Sequence, residues 1–376
     1  MGGRKEKSGG ETEPMRTIDD TLSLPFTPLS QIFRGDPVVR MLHERKISPL
    51  FLAVAALIYG LMYTILFPLI WGLLPEALKD WPTAVIVLVV SPLILGYYIW
   101  EPYNIQELYD GLRARVRREE MIPEHILKFT SLFGMRIWSW IALLAAVLQS
   151  AYIIYFQLNL PPGWQNINYL MIALLVILRF ISVYALFHLL FRKIISIYLI
   201  NRFMQEYNVE VAPLHPDRAG GLKVLGRYVL SVGFIIGVVG LLFGMTLLRI
   251  RLGLEPLTTE FIIDLVVYAL AAPTLFVLPL WQAHRLMIGA REKIILDISK
   301  ELEEQFFMSM KNLREARLTS EDADGLKALE ELYDLAEKIP TWPLDFRILS
   351  QFGAVVLLPV ILPVLLEVIA GMFFWR

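Results

Sequence analysis

The sequence predicts an all-α integral membrane protein with seven transmembrane helices, an internal N-terminus, an external C-terminus, and a cytoplasmic helical hairpin between spans six and seven. Three observations carry this. The 376 residues are 56% hydrophobic, with a mean hydropathy of +0.56, an apolar content that a water-soluble domain would have to expose. Seven segments each supply roughly the twenty apolar residues that cross a bilayer at about 1.5 Å per residue. Lysine and arginine crowd only alternate connections between them, as the positive-inside bias requires.

Residues 1–47 read as a cytoplasmic N-terminal tail, its first 22 residues disordered. The start, Met1-Gly2-Gly3-Arg4-Lys5-Glu6, lacks the apolar core of a cleaved signal peptide. The spans fall at 48–74, 83–100, 137–158, 169–199, 227–249, 259–281 and 349–373. The first six make a transmembrane region over 48–281, with cytoplasmic loops 101–136 and 200–226. Residues 282–348 form a cytoplasmic stalk, and 349–376 the last helix with a short external C-terminus. The second span is the shortest; the fourth is too long to lie wholly in the bilayer and should tilt or project.

Charge assigns the sides. The connections about 75–82, 159–168 and 250–258 carry Lys79, no base, and Arg251, with Arg249 at a border. The opposite side holds Arg34, Arg40, Arg45 and Lys46, then Arg113, Arg115, Arg117, Arg118, Lys128 and Arg136. Further on come Arg192, Lys193, Arg202, Arg218, Lys223 and Arg227, and the bases of 285–347.

Between spans two and three, residues 102–119 set Ile105, Leu108, Leu112 and Val116 on one helical face, predicting an amphipathic helix on the membrane or on neighbouring helices, or a solvated connector. Beyond span six the apolar positions Ile295, Ile298, Leu302, Phe306, Met310 and Leu313 keep helical spacing among charges. A second helix places Leu326, Leu329, Leu332, Tyr333, Ala336 and Ile339 on one side and ends at Pro340 and Pro343. The two make an antiparallel hairpin.

Several residues are candidates for function. Gly233, Gly237, Gly240 and Gly244 in span five lie at spacings of four, three and four, a small-residue stripe for close helix packing in lipid. Pro359 and Pro363 in span seven free the carbonyls of Val355 and Pro359, which a kink, a gate or an ion path would use. Arg179 lies deep in span four, where a bare charge is costly; Glu260, Asp264 and Glu367 enter from the same side and are its candidate partners. The five histidines lie toward the cytoplasmic side, and His188 is positioned to approach His215 and His284, but no two-histidine helical spacing occurs, so no metal site is assigned. In the fourth connection, His215 precedes a proline, Asp217 can cap the succeeding segment, and Gly220 and Gly221 beside Arg218 permit unusual backbone angles. That loop reads either as a structural lock between spans four and five or as a nest for phosphate or carboxylate.

There are no cysteines, which excludes disulfides, thiolate metal sites and a cysteine nucleophile. No phosphate-binding lysine loop, nucleophile elbow or zinc helix appears, so no enzyme activity and no cofactor are expected. A net charge of −1 gives no bulk affinity for nucleic acid. The expected setting is the cell membrane, the inner membrane if the source is bacterial.

The string His215-Pro216-Asp217-Arg218-Ala219-Gly220-Gly221-Leu222 resembles a loop of uncharacterised bacterial multi-pass membrane proteins. The layout of spans and stalk resembles the seven-transmembrane ion channels that include insect odorant and gustatory receptors. That second resemblance, of architecture alone, implies a homo-oligomer anchored through 283–339 and a pore lined by 349–373. The leading expectation is therefore an oligomeric, ion-conducting channel with the seventh span at the pore. The alternative is a sensor or scaffold coupling an outer pocket near Arg179, with a small-molecule or ion ligand, to the cytoplasmic stalk. A transporter is a weaker third, since no inverted repeat is evident.

Overall fold

The computed structural model describes residues 27–116, 130–160, 163–207, 209, 211–212, 215, 219–315 and 320–342. The expectations for the seventh span (Val355, Pro359, Pro363 and Glu367) and for Asp217 and Arg218 lie outside the described residues.

Three cap–proline pairs start the first helices of the described residues. Thr27, Asp36 and Ser48 each accept a backbone N–H with the side chain, and each is followed by a proline whose missing N–H is harmless at a first helical position. They open α1 (Pro28–Gly35), α2 (Pro37–Glu44) and α3 (Pro49–Ile70). The segment 28–44, expected as tail, is thus two helices folded into the bundle: Leu29, Ile32, Phe33, Val39 and Leu42 are buried. A short helix α4 (Leu74–Lys79) leads to α5 (Trp81–Arg113). After it come α6 (Ile137–Asn159), α7 (Tyr169–Glu206, capped by Asn168), α8 (Lys223–Arg251), α9 (Thr259–Arg314) and α10 (Ser320–Glu337).

Among the described residues every regular element is helical, and six helices (α3 and α5–α9) are long and apolar enough to cross a membrane. In α5 and α8, 56% and 61% of the most apolar window is buried, against 11–28% in the other four. Those two are the centre, and the remaining four turn exposed Leu, Ile, Val and aromatic side chains outward, as a lipid-facing ring does. The exposed apolar surface is thereby accounted for. One end of the bundle, the stalk side, carries α1, α2 and the continuation of α9; the other, the loop side, carries residues 71–80, 163–168 and 252–258.

The second span is the largest departure from expectation. It is not short, and residues 102–113 are its continuation rather than a separate helix: α5 runs unbroken through Pro102, and the amphipathic face lies on neighbouring helices, one of the arrangements the sequence allowed. Its apolar face, Ile105, Leu108, Leu112 and Val116, packs in one core with Leu222, Leu225, Tyr228 and Val229. A proline inside a helix leaves the carbonyl four residues earlier without its donor. Here that is Tyr98, and Arg192 Nη1 of α7 donates to its carbonyl at 3.0 Å. The break that the proline threatens is repaired from a neighbouring helix.

Close approaches hold the spans together. Gly60 of α3 lies against α5 so tightly that a Cβ would sit 3.0 Å from Val87 Cγ1 and 3.1 Å from its carbonyl oxygen. Both helices loosen into a π turn beside this crossing, at Met62–Leu66 and Ile86–Val90. Gly233, Gly237, Gly240 and Gly244 are all buried in α8. Tyr97 Oη and Asn104 Nδ2 of α5 donate to the Ser231 carbonyl and hydroxyl at 2.9 and 2.6 Å, and Tyr268 Oη of α9 donates to the Ile236 carbonyl at 3.0 Å.

On the stalk side α9 continues without interruption, 56 residues in all. The next helix, α10, folds back along it: Gly325 lies beside Gln305, while Thr341 and Trp342 return to His284. The hairpin is antiparallel. His284 Nδ1–H donates to the Thr341 carbonyl at 2.7 Å, and its ring stacks on Trp342 at 4.0 Å.

Candidate functional site

Two polar constellations are built into the bundle, one above the other. The first lies toward the stalk side. Asp36 caps α2 with Oδ1, accepting from the amides of Val38 and Val39 at 3.1 and 3.3 Å. Its Oδ2 accepts from Tyr98 Oη at 2.6 Å and from Arg192 Nη2 at 2.5 Å, with His188 Nδ1 at 3.4 Å. Arg192 Nη1 lies 3.4 Å from Glu101 Oε2, and Lys193 Nζ lies 2.9 Å from Glu101 Oε1. The ammonium also sits over the rings of Tyr228 and Tyr97, at 4.6 and 5.1 Å. All of these side chains are buried, Glu101 completely. Two acids balance two bases, so the group is neutral, as burial in low dielectric demands. Arg192 and Lys193, counted from sequence as cytoplasmic charges, are internal.

The second constellation borders a cavity of about 690 Å³ that opens toward the loop side between α5, α6, α7 and α8. Its rim is a hydrogen-bonded roof. Buried Asp80 accepts from Gln165 Nε2 at 2.9 Å and Trp164 Nε1 at 3.2 Å. Arg249 grips both Asp80 oxygens, at 3.1 and 3.3 Å, and reaches Glu255 at 2.5 Å. Gln165 also donates to Thr83 Oγ1 at 3.1 Å. The walls are apolar: Ile86, Val87, Val90, Ile94, Ile153, Leu175, Leu186 and Leu242. One wall strip, Ile86–Val90, is a π turn. Beyond the deepest wall residues come the packed Leu95, Tyr98, Ala185, Leu189, Ile235 and Val238, and then the Asp36–Arg192 network.

Arg179 lines this cavity. No ion pair forms with Glu260 or Asp264, and the third expected partner, Glu367, lies outside the described residues: among the described residues no carboxylate comes within 4 Å of Arg179 and no hydrogen bond holds its guanidinium. Asp264 is exposed on α9, and Glu260 lies half-buried beside Tyr152. The strongest attraction on Arg179 is from Glu255, then Glu260, at longer range, and Glu255 is already held by Arg249. Ser182, three residues on and so on the same helical face, also lines the cavity, and its hydroxyl has no hydrogen-bond partner among the described residues. The sequence reading set an outer pocket near Arg179, and Arg179 lines this cavity; the polar roof was not foreseen, because Asp80, Gln165 and Arg249 are brought together from three distant segments.

The remaining candidates separate. His188 binds Asp36, His215 faces Arg115 at 3.3 Å, and His284 binds Thr341, so the three do not converge. Among the described residues no cluster of metal-ligating side chains forms. Gly220 and Gly221 adopt φ of +63° and +85°, which a side chain would strain. A Cβ on Gly221 would collide with the Arg115 guanidinium of the α5 extension, and one on Gly220 with Val211. The loop is fastened to the core there.

Six long apolar helices among the described residues fit a multi-pass α-helical membrane protein. No protein-family model matches this chain, and neither does any curated protein or solved structure.

Proposed function

We propose that the chain is a membrane receptor that admits a ligand to the cavity from outside and passes its occupancy to the helical hairpin in the cytoplasm. The positive-inside bias supports placing the stalk side in the cytoplasm, which makes the N-terminus internal; the described helices supply six of the seven spans in that reading. One observation carries the proposal. The cavity rim includes Gly253, Leu254, Glu255 and Pro256, the connection that runs straight into α9 at Thr259. A ligand pressing on that rim presses on the same uninterrupted helix that forms the stalk. The packed layer and neutral ion network beneath the cavity support signalling by movement rather than passage through these helices.

The test is to mimic occupancy. Leu242→Trp fills the cavity from α8, and spin labels at Gln305 and Tyr198 report the position of the stalk. The expected result is a shift in that distance relative to unfilled protein; an unchanged distance in well-folded protein removes the receptor reading. The channel expectation has its own test in planar-bilayer currents with Pro359→Ala and Pro363→Ala. Discrete conductance altered by those changes would replace the receptor by an oligomeric channel.

A further inference from the structure

The cavity's lining selects a class of occupant. Resting on the receptor reading, we infer that its ligand is a single-chain anionic amphiphile, whose carboxylate or phosphate head is held by Arg179 and whose hydrocarbon chain lies against the α5 and α8 walls.

Size comes first. At about 30 Å³ per heavy atom, the liquid share of a water molecule, 690 Å³ holds on the order of twenty heavy atoms. That is one chain of about sixteen carbons with a small head, and well short of a two-chain phospholipid. The volume lies within the range of about 300–1,000 Å³ of small-molecule sites. Polarity comes next. The interior walls offer Val87, Val90, Ile94, Leu186 and Leu242, with no charge below Arg179. An ion or a sugar would leave its hydration unreplaced there; a hydrocarbon chain would not.

The head group is decided by which donors are spent. Of the two arginines, Arg249 is committed to Asp80 and Glu255. Among the described residues no group takes up the donors of Arg179, in a span where a bare cation is expensive, and Ser182 Oγ beside it is likewise without a partner among them. A guanidinium fork binds a carboxylate or phosphate through two parallel N–H bonds, and the serine hydroxyl can add a third. A neutral or cationic head would offer the guanidinium no counter-charge.

The probe is a sixteen-carbon fatty acid brominated at mid-chain, added to full-length protein in phosphatidylcholine nanodiscs and read by quenching of Trp164, which lines the cavity. Trp164→Phe isolates that signal from the other tryptophans. Saturable quenching is expected, weakened at least about ten-fold by Arg179→Met, the loss of a hydrogen bond to a charged group, and less by Arg179→Lys. The brominated alcohol of equal length should bind weakly and identically to wild type and Arg179→Met. A brominated lysophosphatidic acid distinguishes phosphate from carboxylate as the preferred head; tighter binding of either through Arg179 supports the inference. Equal binding of acid and alcohol, indifference to Arg179→Met, or absence of saturable quenching in folded protein overturns it. Acid binding through Arg179 that leaves the stalk distance unchanged supports this inference and removes the receptor reading. Stalk movement in Leu242→Trp without acid binding does the reverse.

Discussion

Asp36 engages both its oxygens in five separate contacts, capping one helix through two amides, receiving a phenol and a guanidinium from two others, and facing His188. Removing it leaves Arg192 buried with only a shared acid. Breaking a buried ion pair from one side costs about 3–5 kcal/mol, and the lost cap adds about 1 kcal/mol. Asp36→Ala is therefore expected to lower the thermal midpoint in detergent sharply, where the exposed Arg40–Glu44 pair, removed by Arg40→Ala, should change it little. Arg179→Met is expected to act in the opposite direction and raise the midpoint, because it deletes a cation that has no ion pair among the described residues while abolishing head-group binding. A melt of the two variants side by side separates the structural charges from the functional one. Residue-level legibility was uneven. Arg192 and Lys193 stood out as charges, but the Asp36 partner of Arg192 is 156 positions away, and no local pattern encodes that distance. The Asp-Pro pair at 36–37 is a readable cap signal, yet nothing beside it in sequence marks the carboxylate as the centre of a buried network.

Periodicity revealed the helices well, because an apolar stripe twenty residues long has few other uses. The α9–α10 hairpin was legible for the same reason, since Ala336 of α10, and Ile339 just past its end, lie on the side that became buried. The extension of α5 was not, because a proline ordinarily argues against a continuous helix, and only Arg192 reverses that argument. The π turns had no signature at all. At the α3–α5 crossing, Gly60→Ala brings a methyl group against the Val87 backbone oxygen, which cannot swing aside as a side chain can. Overpacking of this kind costs about 1–3 kcal/mol. Gly60→Val should be worse and should also reshape the π turn that walls the cavity. Thermal melts of Gly60→Ala and Gly60→Val check the order; equal stability of both with wild type would mean the crossing is looser than its geometry.

For the whole molecule, sidedness is the expectation most open to direct measurement. A chain without cysteine accepts single reporters cleanly. Asn166→Cys in intact cells should react with a membrane-impermeant maleimide, and Gly325→Cys only after permeabilisation. The reverse pattern would invert the receptor. Charge alternation is what carries this expectation, because the bias is a sum over many residues and survives individual errors. A deep charge suggested an outer pocket near Arg179, but the cavity's walls and extent were not legible, because they are defined by where side chains are missing between four helices, and an absence leaves no mark on any one of them.

The unbroken course of α9 has a mechanical meaning. From Ala283 to Arg314 it extends about 47 Å at 1.5 Å per residue, a lever arm longer than the bilayer's hydrocarbon core is thick. Pro273 and Pro279 each remove an intrahelical hydrogen bond within the span, so bending is softest there and the arm beyond is stiff. A tilt of about 5° at that fulcrum would carry the tip about 4 Å by simple geometry on that length. An angular change too small to register at the cavity rim thus arrives at the far end as a displacement the size of a side chain.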